Sequence, residues 1–281
     1  MFKNDLLKDQ TIFITGGGTG LGREMAERFA ALGARIAICG RRTEPLEETV
    51  GAIRAGGGEA AWRSVDVRDP EALDAAVGEL EGELGPLTGL VNNAAGNFLA
   101  PSEDLSANAF NSVVQIVLYG GFHATQAVGR RWIERGSGGH ILSIVTTYAW
   151  MGSAFVLPSA CAKAGMLAMT RSLAVEWGTY GIRSNAIAPG PFPTEGAFSR
   201  LMPPEMLEQA EKANPLGRFG EPPELADLAA FLFSPMAVYV NGECVVIDGG
   251  EWLKTGQEFG KFTDVPREEI KAQMAAMKPK K

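Results

Sequence analysis

Three side chains in this sequence are suited to chemistry on a polarised double bond: Tyr148, Ser159 and Lys163. Ser159 and Lys163 open and close the pentapeptide Ser159-Ala160-Cys161-Ala162-Lys163. A phenol in the opening position would hand a proton to a carbonyl under reduction. The aliphatic hydroxyl of Ser159 is a far weaker acid and cannot take that role by simple replacement. Either the acid has been lost or it sits elsewhere, and Tyr148, at the end of Ile144-Val145-Thr146-Thr147-Tyr148, is the candidate for the displaced group.

Elements able to hold such residues alternate along the chain. Residues 11–15, 35–39, 60–65, 89–92, 141–145, 183–188 and 243–247 read as short strands. Residues 21–32 and 45–55 show helical apolar spacing, a helix follows Pro70, and Lys163 lies on the helix between the fifth and sixth strands. This alternation predicts an α/β fold: one doubly wound parallel sheet of the Rossmann type with helices on both faces. No linker is visible, so residues 1–281 are expected to form one domain. Residues 189–223, rich in Pro, Gly and Phe, cannot be one continuous helix and are expected to form a substrate loop at the carboxyl end of a strand. Residues 251–281 form a tail whose last residues are expected to fray.

Between the first strand and first helix stands Thr15-Gly16-Gly17-Gly18-Thr19-Gly20-Leu21-Gly22. In a strand-turn-helix setting such glycines admit a pyrophosphate close to the backbone, with its charge at the helix N-terminus. Gly16, Gly18, Thr19, Gly20, Leu21 and Gly22 are therefore candidate cofactor contacts. The second strand ends in Cys39-Gly40-Arg41-Arg42, which has no carboxylate for a ribose 2′-hydroxyl and two guanidiniums suited to a 2′-phosphate. NADPH is the expected cofactor; the alternative for Arg41 and Arg42 is a solvated turn paired with the nearby Glu44. Asp66 and Val67, after the third strand, suit the adenine edge, and Asn92-Asn93-Ala94-Ala95-Gly96 ends the fourth strand at the same crevice.

Composition narrows the function classes. The chain has 281 residues, of which 46% are hydrophobic and 21% charged, as in a soluble globular protein. Its formal charge of −7 argues against a nucleic-acid partner, and no apolar run approaches a membrane span. Three scattered cysteines suggest a reducing compartment, and two histidines without neighbouring ligands leave no metal site. With no targeting segment at the N-terminus, cytoplasmic residence is expected.

These motifs, in this order over nearly the whole chain, resemble the short-chain dehydrogenase/reductase superfamily, and within it the 2,4-dienoyl-CoA reductases of the mitochondrial type. The resemblance rests on Asn92-Asn93-Ala94-Ala95-Gly96-Asn97-Phe98, on Thr146-Thr147-Tyr148-Ala149, on Pro158 to Gly165, and on Pro189-Gly190-Pro191 with Gly196-Ala197-Phe198-Ser199-Arg200-Leu201. That family also carries serine in place of the usual tyrosine and a functional tyrosine where Tyr148 lies. The resemblance implies that Tyr148 and Asn97 hydrogen-bond a thioester oxygen, that Lys163 holds the nicotinamide ribose, and that Ser159 orders the network beside it. It also implies that Arg41 takes the NADPH phosphate, that Asp66 meets the adenine, and that Asn93 and Pro189, Gly190, Pro191 and Phe192 lie along the cofactor. Arg68, Phe98, Ser106 and Arg200 are implied to contact an acyl-CoA substrate. The implied assembly is a homotetramer. Two positions depart from the family pattern, Tyr119 in place of Asn and Glu195 in place of Lys, and Glu195 would repel an anionic CoA.

In a dienoyl thioester, hydride adds at the far end of the conjugated system and negative charge gathers on the thioester oxygen. A phenol and an amide aimed at that oxygen form an oxyanion hole, which is what Tyr148 and Asn97 would supply. The expected activity is NADPH-dependent reduction of 2,4-dienoyl-CoA to enoyl-CoA, an auxiliary step in unsaturated fatty-acid β-oxidation. The alternatives are another short-chain reductase of acyl-CoA or ketone substrates, or a catalytically silent dinucleotide-binding protein, because a fold does not by itself fix a function.

Overall fold

In the computed structural model, which describes residues 2–194 and 204–277, seven parallel strands form one sheet in the order β3-β2-β1-β4-β5-β6-β7. The strands are β1 (Thr11–Thr15), β2 (Arg35–Gly40), β3 (Ala60–Ser64), β4 (Gly89–Asn92), β5 (Gly139–Ile144), β6 (Ile182–Pro189) and β7 (Cys244–Ile247). Helices cover both faces, so the central strands carry apolar runs, not an alternating pattern; all five residues of β1 are buried. Ile12, Ile14, Ile36 and Ile38 point to one face and pack with Met25 and Phe29 of α1 (Gly20–Ala31), Leu46 and Val50 of α2 (Thr43–Ala55), and Phe233 of α9 (Pro222–Phe233). Phe13 and Ala37 point to the other, against Leu73 and Val77 of α3 (Pro70–Leu84) and Val128 and Trp132 of α5 (Gly120–Arg135). The fold class expected from the alternation is the one observed.

Strand order reverses between β1 and β4, whose register pairs Ile14 with Val91. The crossovers from β1 and β4 leave on opposite sides there, opening a crevice beyond the carboxyl ends of the strands. Local sequence sets the helix starts around it. Asp69 caps α3 by accepting from the backbone N–H groups of Glu71 and Ala72, and Pro70 supplies the first helical position.

Three regions carry elements that the sequence reading did not specify. The helical segment leading to Ile133 is interrupted: α4 (Ala107–Val114) passes through a π-helical turn at Gln115–Tyr119 into α5. Residues 204–213 within the 189–223 excursion form a helix, α8 (Pro204–Ala213). The tail is also more ordered than its composition suggests, with α10 (Glu251–Thr255), a 3₁₀ turn (Gly260–Asp264) and α11 (Arg267–Ala276). The remaining helices, α6 (Tyr148–Met151) and α7 (Leu157–Glu176), carry the candidate chemistry. Among the described residues no helix is long and apolar enough to cross a membrane.

Candidate active site

The glycine turn is built for close approach. Gly16 and Gly20 hold left-handed φ angles of 68° and 54°, which side-chain-bearing residues adopt only with strain. At Gly22 the constraint is space: a Cβ there would stand 2.3 Å from the carbonyl oxygen of Gly16 and 2.5 Å from Nδ2 of Asn93. Asn93 braces the turn by donating from Nδ2 to the carbonyls of Thr15 (3.0 Å) and Gly16 (3.2 Å). The Thr15 hydroxyl accepts from the N–H groups of Asn93 and Ala94, tying the end of β4 to the end of β1. Asn93 thus acts on the turn itself.

A cleft of about 170 Å³ opens beside this turn, with Gly16, Gly18 and Thr19 on one side and Arg41, Arg42, Asp66 and Val67 on the other. Neither Arg41 nor Arg42 makes a side-chain hydrogen bond or ion pair among the described residues, Glu44 included, and both are exposed. The solvated-pair alternative for this turn therefore has no contact behind it. Asp66 is engaged: Arg68 grips it through Nη2 at 2.5 Å and Nε at 3.0 Å, and these bonds hold its carboxyl below the usual carboxylate range. Asp66, implied by the resemblance to meet the cofactor's adenine, and Arg68, implied to contact the acyl-CoA, form one salt bridge here. A cleft with a glycine turn at one end and two exposed guanidiniums at the other fits a dinucleotide.

At the carboxyl end of β5 the chain turns through Thr146 and Thr147 into α6, which begins at Tyr148. Tyr148 is half-buried, and its hydroxyl lies 2.9 Å from Oγ of Ser159, a buried residue in the first turn of α7. Either oxygen can donate, so when the phenol donates to a ligand the serine hydroxyl can donate to the phenol oxygen. A core aromatic at a strand end would bury its whole ring, and Tyr148 does not. Thr146 Oγ1, two residues earlier, is buried without a partner among the described residues.

Lys163 follows Ser159 by one helical turn and is 6% exposed. Its Nζ donates to the carbonyl of Ile144 at the end of β5, and burial pushes its ammonium down to about 8. One of its three donors is committed to Ile144, leaving two for a ligand hydroxyl. Asn97 is exposed; its Oδ1 accepts from the N–H of Phe98 at 2.9 Å, and its Nδ2 has no partner among the described residues. That orientation commits the acceptor and frees the donor.

The remaining sequence candidates occupy varied positions. Ser106 caps α4, its Oγ accepting from the N–H of Ala109 at 3.1 Å. Phe98 is half-buried against the apolar cluster of Val113, Val117 and Met166. Gly190 donates to the carbonyl of Ile247 and Pro191 accepts from Gly220, which pins this segment to β7 on one side and to the turn before α9 on the other. The ring of Phe192 is buried beneath Gly220, in the apolar core. Arg200 and Glu195 lie outside the described residues. Two features were not singled out in the sequence. Thr194 comes against Gly20, with Oγ1 3.5 Å from where a Cβ would stand, and Trp150 packs edge-on against Trp252 with ring centroids 5.5 Å apart. Both join segments far apart in the chain, and no local spacing announces them.

A Rossmann sheet with a glycine turn, a dinucleotide cleft and a Tyr-Ser-Lys cluster at its carboxyl edge defines an oxidoreductase that works with a nicotinamide dinucleotide. Comparison with known proteins agrees. A family model described as enoyl-(acyl carrier protein) reductase matches residues 16–251. A Bacillus subtilis protein named probable 2,4-dienoyl-CoA reductase, (2E)-enoyl-CoA-producing, is 45% identical over 88% of this chain and 98% of its own length. Among solved structures, a short chain dehydrogenase from Bacillus anthracis superposes with a TM-score of 0.81 at 45% identity, covering 88% of this chain and 98% of that one. A gluconate 5-dehydrogenase from Burkholderia cenocepacia, solved in complex with NADP and tartrate, superposes with a TM-score of 0.83 at 31% identity, covering 89% and 98%. The chain belongs to the short-chain dehydrogenase/reductase family.

Proposed function

We propose that this oxidoreductase reduces 2,4-dienoyl-CoA thioesters to enoyl-CoA with NADPH. The observation that carries the reading is the Tyr148–Ser159 pair at 2.9 Å, which places a phenol beside the serine that stands where a carbonyl reductase would have its acid. The name borne by the Bacillus subtilis relative supports the same substrate class.

When bound, NADPH would supply the hydride for the far carbon of the diene. The chain's own residues act on the oxygen and on the cofactor's position. Tyr148 donates to the thioester oxygen as charge gathers there, backed by the Ser159 hydroxyl, and the free Nδ2 of Asn97 is the second donor. Lys163, anchored on the Ile144 carbonyl, directs its remaining N–H donors to the nicotinamide ribose and adds positive potential. Arg41 and Arg42 receive the 2′-phosphate. A proton from Tyr148 or from water then completes the reduction at carbon. On this reading Arg68, Phe98, Ser106 and Arg200 contact the acyl-CoA, and Arg68 must exchange part of its bond with Asp66 for the ligand. We further infer one cytoplasmic catalytic domain per chain, assembled as a homotetramer.

The test mixes the protein, NADPH and 2,4-hexadienoyl-CoA and follows both chromophores. Loss of the dienoyl and NADPH absorbance in equal amounts is expected, with much slower turnover of 3-oxoacyl-CoA. Comparable turnover of the 3-oxoacyl substrate would assign the enzyme to carbonyl reduction.

A further inference from the structure

The polar cluster around Tyr148 accounts for the thioester end of the substrate, and a second feature touches the same turn from the other side. α6 is four residues long, and besides Tyr148 it carries Trp150, which is 39% exposed. Trp150 meets Trp252 of α10 nearly at right angles, 83° between ring planes. α10 follows β7, so this contact joins the end of β5 to the end of β7 across the carboxyl end of β6. The backbone N–H of Trp252 donates to Asp248 at 2.9 Å, and the N–H of Gly250 donates to the same carboxylate at 2.8 Å. These two bonds fix the backbone at the start of α10, where Trp252 stands.

The segments that flank Tyr148 carry further exposed apolar side chains. Leu99, Met151, Phe155 and Leu157 are between 40% and 58% exposed. The N–H of Ala100 donates to the carbonyl of Phe155 at 2.9 Å, which holds the segment carrying Asn97 against the segment following α6. Solvent-facing apolar side chains on the segments beside a polar site are suited to contact an apolar ligand. The dinucleotide cleft lies at β1 to β3, on the opposite side of the crevice, so the cofactor's adenosine end cannot be its occupant.

We propose that Trp150 and Trp252 form the end wall of the acyl site and set the length of chain the enzyme accepts. The occupant is the hydrocarbon tail beyond the diene, an assignment that rests on the thioester reading of Tyr148. A rigid edge-to-face pair standing across the path of the tail would admit tails that stop short of it and reject longer ones; each added methylene that meets it costs about tenfold or more in specificity. Because one wall residue is on the turn that carries Tyr148 and the other is in the tail, the C-terminal segment takes part in substrate selection.

The test compares kcat/KM for hexadienoyl-, decadienoyl- and tetradecadienoyl-CoA in wild type, Trp252→Ala and Trp150→Ala. The expected result is a gain of about tenfold in the ratio of the first length the wild type rejects to hexadienoyl-CoA. NADPH affinity and Tm serve as folding controls, and Trp252→Phe, which keeps a ring at the wall, should retain a near-wild-type length profile. Binding is read separately by titrating the protein with NADP⁺ present against saturated acyl-CoAs of the same lengths, and both variants should bind the longer ones more tightly relative to the short one. Length profiles that scale uniformly in the variants, in turnover or in binding, overturn the wall. A wild type that binds acyl-CoAs with a length limit relaxed in the variants, yet turns over no dienoyl thioester, keeps the wall and overturns the proposed reaction instead.

Discussion

The two ends of the crevice are built on different principles. At the cofactor end, position is fixed by backbone: Gly16 holds a left-handed φ, Gly22 leaves no room for a side chain, and Asn93 and Thr15 lace β1 to β4. At the proposed substrate end, position is fixed by side chains on short segments: Tyr148 on a four-residue helix, Asn97 in a loop, Trp252 after the last strand. A dinucleotide presents the same pyrophosphate in every enzyme that uses it, so a rigid cradle serves. A substrate site must be specific to one reaction, and side chains can change without disturbing the sheet.

The contrast is broken most severely at Tyr148. Replacing it by Phe removes one donor to the developing oxyanion and should lower kcat about a hundredfold with little change in NADPH affinity. Single-turnover kinetics, in which product release cannot mask the step, is the measurement, and near-wild-type rates would remove Tyr148 from the mechanism. Gly22→Ala probes the other end. With the backbone carbonyl oxygen of Gly16 2.3 Å from the new carbon, the turn must shift, at a cost of about 1–3 kcal/mol. NADPH and NADH binding should weaken together by a similar factor, as read by fluorescence titration. Arg41→Ala should instead separate the two cofactors: a charge-assisted phosphate bond is worth about 1.5–3 kcal/mol, so NADPH affinity falls about tenfold or more while NADH affinity holds.

The difference between the ends also explains what could be read from the sequence. The sheet, its parallel order and the glycine turn are legible because buried strands need unbroken apolar runs and a pyrophosphate turn needs glycine at fixed offsets, as in Thr11–Thr15 and Gly16 to Gly22. The pairing of Tyr148 with Ser159 is legible only through the unusual serine four residues before Lys163. Trp150 against Trp252 and Thr194 against Gly20 are contacts between distant segments, and nothing in their neighbourhoods specifies them. The tail helices escaped notice for a related reason: α11 (Arg267–Ala276) buries just one side chain, Ile270, too little apolar periodicity to stand out. The π-helical turn at Gln115–Tyr119 departs from an α-helix by its hydrogen bonds alone, which composition does not encode.

Lys163 sits where the two ends meet, and pH separates its contributions. Burial depresses it from 10.5 to about 8, so it is an ammonium below that pH and an amine above it. NADPH affinity should therefore weaken severalfold as pH rises through about 8, and Lys163→Met should bind more weakly at neutral pH and lack that slope. Stability without cofactor runs in the opposite sense. Between about 8 and 10.5 the unfolded chain keeps a proton that the folded chain has lost, so this group adds stability as pH increases over that window. Denaturation at several pH values with and without NADPH reads both signs.

The smallest effect expected tests whether the substrate end stores strain. Phe155 has φ of 64°, alone among the described non-glycine residues in a left-handed conformation, and 58% of its surface is exposed, so packing does not compel that geometry. A left-handed residue bearing a Cβ costs about 1–2 kcal/mol, a cost glycine does not incur. Phe155→Gly regains this energy but returns entropy to the unfolded chain, so the net gain should be under about 1 kcal/mol, a rise in Tm of about 2 °C or less. If the strained turn presents the phenyl ring to the acyl tail, the same variant should raise KM for the dienoyl thioester while NADPH affinity stays fixed. Scanning calorimetry and initial-rate kinetics on one preparation distinguish the outcomes. A more stable variant with weaker substrate binding means the strain serves the site. A less stable variant with unchanged KM means that Phe155 supports the turn by its contacts, and the geometry there belongs to the fold.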